Sequence, residues 1–302
     1  MLFRSKARLL LKILTALRPQ IFHIINSDLA WSVLAKNGLF LSGITRVFGS
    51  MFCVQRNYET GALIGFASNY FEVACKYCQM ILTDNHSFAR EAVALFPRSE
   101  GSAPLAPIYN PATWPQSARD LPLLSRKPRP TSQPPSVLWA GRLDRQKRVE
   151  LVFEVARLLP SVRFFVYGAS VTDGHYKIET LPNVKMCGGF SSFSQLIETR
   201  SYDAYMHTTY EEGLPNILLE VGMAGIPIIA PAIGGIPELI YEETGLLIPA
   251  TAGAAEYAAA IERVVSTPGE SDKCSRRLEE IIQNRHSWRQ FEEAVQMIQG
   301  YL

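Results

Sequence analysis

The sequence predicts an α/β fold with parallel sheets in two domains. Predicted strands and helices alternate along most of the 302 residues, a pattern typical of parallel sheets with helices outside. A proline-rich stretch, residues 111–135, interrupts the alternation and divides the chain into two parts. Apolar residues make up 47% of the chain and charged residues 19%, which is the composition of a folded globular protein.

The first part opens with a helix and a buried strand. The helix is predicted from Lys6 to Leu17, where Arg18-Pro19 ends it, and the run Ile21–Ile25 is predicted to be a strand. The remaining predictions in this part are a helix over 69–78, a strand over 80–83, a helix over 87–95, and a short strand with a turn over 108–111.

The second part is more regular and predicts one doubly wound domain. Ligands of such a domain bind at the C-terminal ends of its parallel strands. Strands are predicted at 137–140, 163–168, 184–186, 203–207, 227–230 and 245–248, and helices at 149–159, 193–200, 215–224 and 252–266.

The composition argues against membrane-spanning and secreted proteins. No run approaches the ~18 uninterrupted apolar residues of a spanning helix, and the longest candidate, Leu9–Leu17, contains Lys12. No small-residue cleavage site follows it, so we expect a cytoplasmic protein. Cys75 and Cys78 are interpreted as structural helix residues rather than a redox pair or half a zinc site, because no second ligand pair follows.

The net charge of +2 conceals an asymmetry between the two parts. Residues 1–130 hold 15 basic and 7 acidic residues, whereas the remainder holds 15 and 21. A basic first part fits peripheral contact with anionic lipid at the inner face of a membrane, or a phosphate-bearing acceptor, and a dispersed solvated surface explains it equally well. Nucleic acid is not expected as a partner, because aromatic residues do not interleave with the basic ones.

The first candidate site follows the first strand of the second domain. Gly141 permits a tight turn, and Arg142 and Lys147 lie in the basic loop before the next helix. A forked guanidinium and a compact ammonium at a strand end are suited to holding a diphosphate. The alternative is a solvated basic loop, in which Arg145 and Arg148 simply face water.

The second candidate site is the run Glu212-Gly213-Leu214-Pro215-Asn216 between a strand and a helix. Pro215 suits the first helical turn, where its missing N–H costs little. The N–H groups near Leu214, Asn216 and Ile217 would then form a positive helix end that attracts an anion.

Glu220 lies about a turn and a half inside the same helix, among apolar neighbours. The helix dipole alone favours acidic residues at a helix start, which explains Glu211 without any ligand and leaves the same explanation open for Glu212. It does not explain Glu220, because a carboxylate on an apolar helix needs a partner or a ligand. Since carboxylates accept hydroxyl pairs well, Glu212 and Glu220 are predicted to lie near opposite ends of a bound sugar nucleotide.

A third element is the glycine turn Gly234-Gly235, which precedes Ile236-Pro237-Glu238. Such glycines permit close approach of the backbone to a ligand. Loop geometry explains the turn as well as binding does.

Together these elements resemble the retaining GT-B glycosyltransferases, specifically glycosyltransferase family four, also called glycosyl transferases group 1. Gly141-Arg142-Leu143 with Lys147 matches the first segment of the family pattern, and Glu212 to Glu220 matches its Glu-x7-Glu motif. Gly225-Ile226-Pro227 and the Gly234-Gly235 turn follow in the family's order.

The resemblance implies a GT-B fold of two Rossmann-like domains and a role for each matched residue. Arg142 and Lys147 would hold the donor diphosphate and stabilise it as leaving group, and Glu212 would contact the transferred sugar. These three are the expected catalytic residues. The expected substrate-binding residues are Gly141, Gly188, Gly213, Leu214, Asn216, Ile217 and Glu220, with Glu220 on the ribose hydroxyls and Gly188 near the base. No metal or other cofactor is expected, since family members generally need none and no Asp-x-Asp motif is present.

The resemblance also implies the domain layout. Residues 1–130 would form the N-terminal, acceptor-side domain with the linker, residues 131–280 the donor-nucleotide domain, and residues 281–302 a C-terminal helix packing back toward the first domain. The usual opening strand and glycine-rich loop are not recognised, so the first domain is expected to be incomplete. His23 is interpreted as a core or strand-end histidine rather than a functional one.

The leading hypothesis is therefore a hexosyltransferase that uses a nucleotide-diphosphate sugar and a saccharide or lipid-linked acceptor, with retention, in cell-surface polysaccharide or glycolipid assembly. The alternative is a truncated or catalytically impaired nucleotide-sugar-binding protein that needs a partner chain. A dehydrogenase-like protein is disfavoured, because no Gly-x-Gly-x-x-Gly follows a first strand.

Overall fold

The computed structural model describes residues 2–25, 27–57, 60–96, 101–112, 130, 132–170, 180–198 and 200–301. The chain forms two compact units, one of Met1–Asn110 with Phe291–Leu302 and one of Pro111–Gln290. Most of the predicted linker lies outside the described residues, so the boundary near residue 130 stays a prediction.

The first unit contains a parallel sheet in the order β1-β2-β3-β4. Its elements are α1 (Leu2–Leu17), β1 (Ile21–Ile25), α2 (Asp28–Ser42), β2 (Arg46–Ser50), α3 (Gly65–Tyr77), β3 (Met80–Thr83), α4 (His86–Leu95) and β4 (Leu105–Pro107).

The core of the first unit is built by close helix–sheet contacts. Trp31 on α2 is fully buried and packs against Gly49 of β2, where a Cβ would overlap the indole ring. Cys75 and Cys78 are also buried, and burial raises the pKa of the Cys78 thiol to about 12. This placement agrees with a structural role for both cysteines.

His23 on β1 lies within this unit and is partnered on both ring nitrogens. Its Nδ1 is 2.6 Å from the Tyr301 hydroxyl and its Nε2 is 2.8 Å from the Ser50 hydroxyl. Burial lowers the pKa of His23. The contacts fit the interpretation of a satisfied strand histidine.

The second unit contains a six-stranded parallel sheet in the order β10-β9-β8-β5-β6-β7. Its strands are β5 (Ser136–Ala140), β6 (Arg163–Tyr167), β7 (Val184–Gly188), β8 (Ala204–Met206), β9 (Ile228–Pro231) and β10 (Leu246–Ile248). Its helices are α5 (Val149–Leu158), α6 (Ser194–Ile197), α7 (Asn216–Met223), α8 (Ala254–Ser266) and α9 (Pro268–Arg285). Helix α10 (Trp288–Gln296) begins at the end of this unit, and its residues from Phe291 onward belong to the first unit.

The strand order places a reversal point between β5 and β8. Successive strands run outward from β5 in one direction through β6 and β7, and in the other direction from β8 through β9 and β10. The loops that leave β5 and β8 therefore diverge to opposite faces of the sheet and open a crevice at their C-terminal ends. Ligands of doubly wound sheets bind at such a point.

Helix α7 is held close to α9 by a glycine. A Cβ on Gly222 would overlap the side chain of Ile282 and approach that of Leu278, so the two helices are in direct contact there. This contact fixes the direction in which α7 leaves the crevice.

Several predicted elements need correction. The strand expected at residues 108–111 lies instead at β4, and the helix expected at 193–200 is limited to α6. The helix expected over 281–302 is two helices, because α9 ends at Arg285 and α10 begins at Trp288. Helix α2 and strand β2 were not predicted.

Within the described part of the chain, no helix combines the length and apolar character needed to cross a membrane.

Candidate functional site

The loop after β5 is shaped by two glycines and an aspartate. Gly141 turns the chain directly at the strand end, and its carbonyl lies so close to Gly168 that a Cβ there would overlap it. Asp144 caps the short 3-10 turn Arg145–Lys147 by accepting from the Lys147 amide at 3.0 Å. The turn brings the Lys147 side chain back over the strand end.

Arg142 is exposed, as is Arg145 in the same loop. The Arg142 Nε lies 3.1 Å from the Asp144 carboxylate and its guanidinium donates to Gln146 Oε1 at 2.6 Å. The side chain is 52% exposed, so it can exchange these partners for a ligand at little cost in free energy.

The loops after β5 and β8 are joined by hydrogen bonds. The Gln146 side chain donates to the Glu211 carbonyl at 2.9 Å, and the Gln146 carbonyl accepts from the Tyr210 amide at 2.9 Å. Deeper in the unit, Trp139 Nε1 donates to the Thr208 hydroxyl at 2.8 Å. These bonds hold the two loops at one fixed separation.

At this junction Lys147 and Glu212 form an ion pair. Their side chains are only 15% and 12% exposed, so the pair is largely removed from solvent. A partly buried charge needs a partner, and here each residue supplies the other's. Two of the three predicted catalytic residues are thus in contact. The third, Arg142, contacts Asp144 and Gln146 instead.

The glycine turn after β9 fixes the backbone of Glu212. Gly234 has φ +54, and a Cβ there would overlap the Glu212 carbonyl oxygen. The next amide, of Gly235, donates to the Gly213 carbonyl at 2.9 Å. The close approach allowed by these glycines is therefore to the chain's own loop at Glu212 and Gly213.

Helix α7 begins at Asn216, one residue later than predicted, with Pro215 as its N-cap residue. Proline offers no side-chain acceptor, so the N-cap residue itself makes no hydrogen bond to the positive end of the helix. Leu214 is buried, Asn216 is exposed and Ile217 is half-buried at this end. The arrangement suits an anion at the crevice.

Glu220 lies on α7 and is half-buried. Its carboxylate makes no hydrogen bond or ion pair within the described residues, and burial raises the pKa of this carboxyl group. The neighbouring Tyr205 has its pKa raised by burial and, to a lesser degree, by the Glu220 charge, which places the two side chains near each other. A carboxylate in this state lacks the partner that burial calls for.

Gly188 ends β7 at the same edge of the sheet. It has φ +80, and a Cβ there would meet open space. Its carbonyl accepts from the Gly168 amide at 2.8 Å. Beyond it, the Phe190 ring lies edge-on to Tyr167 with centroids 6.5 Å apart. Free space beside Gly188 and a pair of aromatic rings near the same strand end are compatible with a planar base.

His207 lies beneath the Lys147–Glu212 pair and was not recognised as a site residue from sequence. It directly follows β8, its side chain is 3% exposed, and its Nε2 lies 3.9 Å from Glu212 Oε1. Burial and, second, the Lys147 charge hold the pKa of His207 well below its ordinary value. The available signal was its position at the end of a strand that leads into the Glu212 loop.

Two further residues were missed. Asp144 and Gln146 set the geometry of the Lys147 loop, and an aspartate three residues before Lys147 is the sequence pattern of a cap. The alternative of a solvated loop placed Arg148 in water, whereas this residue is half-buried, with its guanidinium 4.8 Å from the Tyr210 ring centroid.

The site therefore combines positive charge, from Arg142, Lys147 and the start of α7, with two carboxylates that can accept hydrogen bonds from hydroxyl groups. The carboxylates are those of Glu212 and Glu220. Within the described residues, no group of three or more His, Cys, Asp or Glu side chains is placed to hold a metal ion. The individual roles predicted for the site residues stay predictions.

Residues 134–267 match the family model described as Glycosyl transferases group 1. The matched range begins just before β5 and ends just after α8, so it contains the Lys147–Glu212 pair and Glu220.

Two curated proteins illustrate the likeness in sequence. The O-antigen biosynthesis glycosyltransferase WbnH of Escherichia coli is 33% identical over 122 residues, which are 38% of this chain and 33% of WbnH. A glycogen synthase of Mycobacterium tuberculosis is 25% identical over 224 residues, which are 69% of this chain and 50% of that enzyme. The matches thus span a third to a half of these relatives.

Among solved structures, HepE of Anabaena in complex with UDP-glucose is similar over 95% of this chain and 80% of its own, with a TM-score of 0.73 and 15% identity. This likeness and the two parallel sheets establish the fold as a GT-B type with two Rossmann-like units, which confirms the predicted fold class.

Proposed function

We propose that this protein is a glycosyltransferase that transfers a hexose from a nucleotide-diphosphate sugar to a saccharide or lipid-linked acceptor. The observation that carries the proposal is the Lys147–Glu212 ion pair at the reversal point of the six-stranded sheet, with the unpartnered carboxylate of Glu220 on the adjoining helix. The family match over residues 134–267 supports the same reaction class.

The donor diphosphate would lie between the loop after β5 and the start of α7. Arg142 supplies a forked donor, Lys147 a point charge, and the start of α7 the positive end of the helix dipole. The Lys147 loop and the start of α7 are positioned by the fold before any ligand binds, and the exposed Arg142 side chain would exchange its present partners for the diphosphate. Pre-placed positive charge of this kind stabilises a diphosphate most strongly when it departs with its full negative charge.

The carboxylates would bind the two sugars of the donor. Glu212, beside the diphosphate cations, would accept from hydroxyls of the transferred hexose, and Glu220 from the ribose diol. The open end of β7 at Gly188 leaves room for the base. A UDP-glucose complex of HepE supports a nucleotide sugar of this class as donor.

The reaction breaks the bond between the anomeric carbon and the diphosphate oxygen and forms one to the oxygen of an acceptor hydroxyl, whose proton passes to the departing diphosphate. The anomeric carbon becomes cation-like as the diphosphate departs, so electrostatic stabilisation of the leaving group is the main task of the protein. Attack from the same face as departure, with retention, is our proposal from the family resemblance, as is transfer without a metal.

The test is incubation of the purified protein with radiolabelled UDP- and GDP-hexoses and with saccharide or polyprenyl-phosphate acceptors, with and without EDTA. We expect transfer from at least one donor, unaffected by EDTA, and an NMR spectrum of the product that retains the donor's anomeric configuration. Calorimetric UDP binding without turnover would support the alternative of a binding protein that needs a partner. No binding and no turnover with any donor would contradict both.

We further propose a cytoplasmic protein that contacts anionic lipid peripherally through α1. This helix carries four basic residues and no acidic one, and Leu9, Ile13 and Leu17 project outward at a spacing of four. Basic residues flanking an exposed apolar row are typical of interfacial helices. Flotation with phosphatidylglycerol vesicles should capture the protein, phosphatidylcholine vesicles should not, and Leu9→Ser with Ile13→Ser should reduce capture.

A further inference from the structure

His207 is a buried side chain with an unused hydrogen-bonding atom. Its Nε2 makes no hydrogen bond to any described residue, although the atom has no contact with solvent. The nearest polar group is Glu212 Oε1 at 3.9 Å, just beyond hydrogen-bond distance. Leaving a buried polar atom unsatisfied costs free energy, so its retention here calls for an explanation.

The other side of the imidazole ring is held in place. The Tyr205 hydroxyl donates to the Ala140 carbonyl at 3.1 Å and lies 3.3 Å from Nδ1. While its single proton is on the Ala140 carbonyl, Nδ1–H donates to the hydroxyl oxygen and Nε2 faces Glu212 as a lone pair. When the hydroxyl turns to donate to Nδ1, the proton of the neutral ring lies on Nε2 instead. The Tyr257 hydroxyl donates to the His207 carbonyl at 2.8 Å and anchors the backbone. The ring is thus aimed at Glu212 before a ligand arrives.

The Lys147 ammonium cannot pair fully with both the Glu212 carboxylate and a donor diphosphate. Without a ligand its ammonium neutralises Glu212. A diphosphate carries more negative charge than one carboxylate and would draw the ammonium toward itself. Glu212, only 12% exposed, would then be a largely buried carboxylate without its partner. A neutral hydrogen-bond donor that can reach the Glu212 carboxylate oxygen after a small side-chain movement would keep Glu212 ionised and in position.

We propose that His207 is a positioning residue that takes over Glu212 from Lys147 when the donor diphosphate engages Lys147. In this exchange the Tyr205 hydroxyl turns from the Ala140 carbonyl to donate to Nδ1, and the ring proton moves from Nδ1 to Nε2. Nε2–H then closes the 3.9 Å gap and donates to the Glu212 carboxylate, which stays ionised and directed at the sugar hydroxyls. The inference rests on the proposed donor site, but the exchange of partners is a property of three side chains and can be tested without a donor.

The first test removes Lys147 without any ligand. Histidine-labelled protein is titrated by NMR, with the His207 resonance assigned by its loss in His207→Gln. In Lys147→Met the Glu212 charge faces the imidazole alone, so the pKa of His207 should rise. In Lys147→Met with Glu212→Gln the pKa should fall back. An unchanged His207 resonance in a folded Lys147→Met protein would overturn the proposal.

The second test uses UDP as the probe on the wild-type protein. Saturating UDP should shift the Nε2 resonance of His207 in the direction produced by Lys147→Met. Calorimetric UDP binding with no change at His207 would overturn the exchange while leaving the donor site intact. Absence of UDP binding would instead contradict the proposed function, and the Lys147→Met titration would still decide the exchange.

The third test separates positioning from structure by kinetics. The glutamine amide places an N–H near the position of Nε2, whereas leucine fills the space without a donor. We expect kcat to fall roughly 30-fold in His207→Leu, from loss of a hydrogen bond to a charged group, with donor KM nearly unchanged and substantial recovery in His207→Gln. Ser275→Ala, which removes another buried unpartnered group on α9, should leave kcat unchanged. Equal losses in the Gln and Leu variants would overturn the proposal.

Discussion

The two carboxylates of the Glu-x7-Glu motif stand in opposite states. Glu212 lies in a loop fixed by the Gly234 turn and is ion-paired with Lys147, and the Nε2 atom of His207 lies 3.9 Å from its carboxylate. Glu220, eight residues later on α7, is half-buried and has no hydrogen bond or ion pair within the described residues. One carboxylate is thus satisfied in the absence of ligand and the other is not.

The difference points to different tasks within one binding site. A paired carboxylate can be held in an accurate position near reacting atoms, because its desolvation is compensated by the cation. An unpaired one gains more from a ligand's hydroxyls, because they relieve a penalty that already exists. Glu212 is therefore suited to the transferred sugar, and Glu220 to recognition of the nucleotide.

The largest expected effect is on turnover in Lys147→Ala. Removing this cation leaves the departing diphosphate with one less pre-placed charge, so we expect transfer to slow about 10²- to 10³-fold. Lys273→Ala, the same charge loss at an exposed position on α9, is the control and should retain full activity. Initial rates of radiolabel transfer measure both. A decrease of only a few-fold in the transfer rate of Lys147→Ala would show that Lys147 does not stabilise the leaving group.

The next effect is on stability, in Gly234→Ala. The added Cβ would overlap the Glu212 carbonyl, and φ is +54, so we expect the free energy of unfolding to fall by about 3 kcal/mol. Gly269→Ala in the first turn of α9 meets open space and should change stability by less than about 1 kcal/mol in the favourable direction. Urea denaturation compares them. Equal stabilities would mean that the Glu212 loop yields easily.

A smaller effect is expected on nucleotide affinity in Glu220→Gln. Charge-assisted bonds to the ribose would be replaced by neutral ones, which should weaken UDP binding about tenfold. Inhibition by pyrophosphate, which has no ribose, should not change. Glu243→Gln, an exposed carboxylate outside the strand-end loops, is the matched control in calorimetry. Equal weakening of pyrophosphate binding would place Glu220 near the phosphates instead.

The smallest effect concerns the pH dependence of stability. Burial raises the pKa of Glu220 above its ordinary value of 4.5, so the folded state prefers the protonated form. The loss of stability caused by the buried Glu220 charge is absent below the ordinary pKa of 4.5, and it is complete once the pH exceeds the raised pKa of the folded protein. Glu220→Gln should therefore raise Tm at pH 7 by about 2 °C, and the difference should shrink as the pH falls toward 4.5. A constant difference would exclude ionisation as its cause.

Much of the fold could be predicted, and the errors have physical reasons. Strand β3 agrees with the prediction residue for residue, because Met80–Thr83 is an apolar run between two helices. Helix α2 was missed because apolar residues surround it and Asn37 interrupts its helical geometry, so no single apolar stripe marks it. Strand β2 was missed because Arg46 and Gly49 weaken a short pattern.

The site was predicted in part. Motif spacing identified Lys147, Glu212 and Glu220 and placed each near a strand or helix end. Spacing did not predict three contacts of Glu212: its ion pair with Lys147, its proximity to His207, and the close approach of Gly234 to its carbonyl oxygen. Each joins residues from loops that follow different strands.

The sequence by itself determined the elements and the chemistry that each loop carries, because apolar periodicity, glycines and capping residues act over a few neighbouring positions. Only the tertiary structure decided which charges meet. Lys147 and Glu212 are 65 residues apart along the chain, and they pair because β8 lies beside β5 in the sheet. That neighbour relation depends on how the whole sheet buries its apolar faces, a property that no local segment encodes.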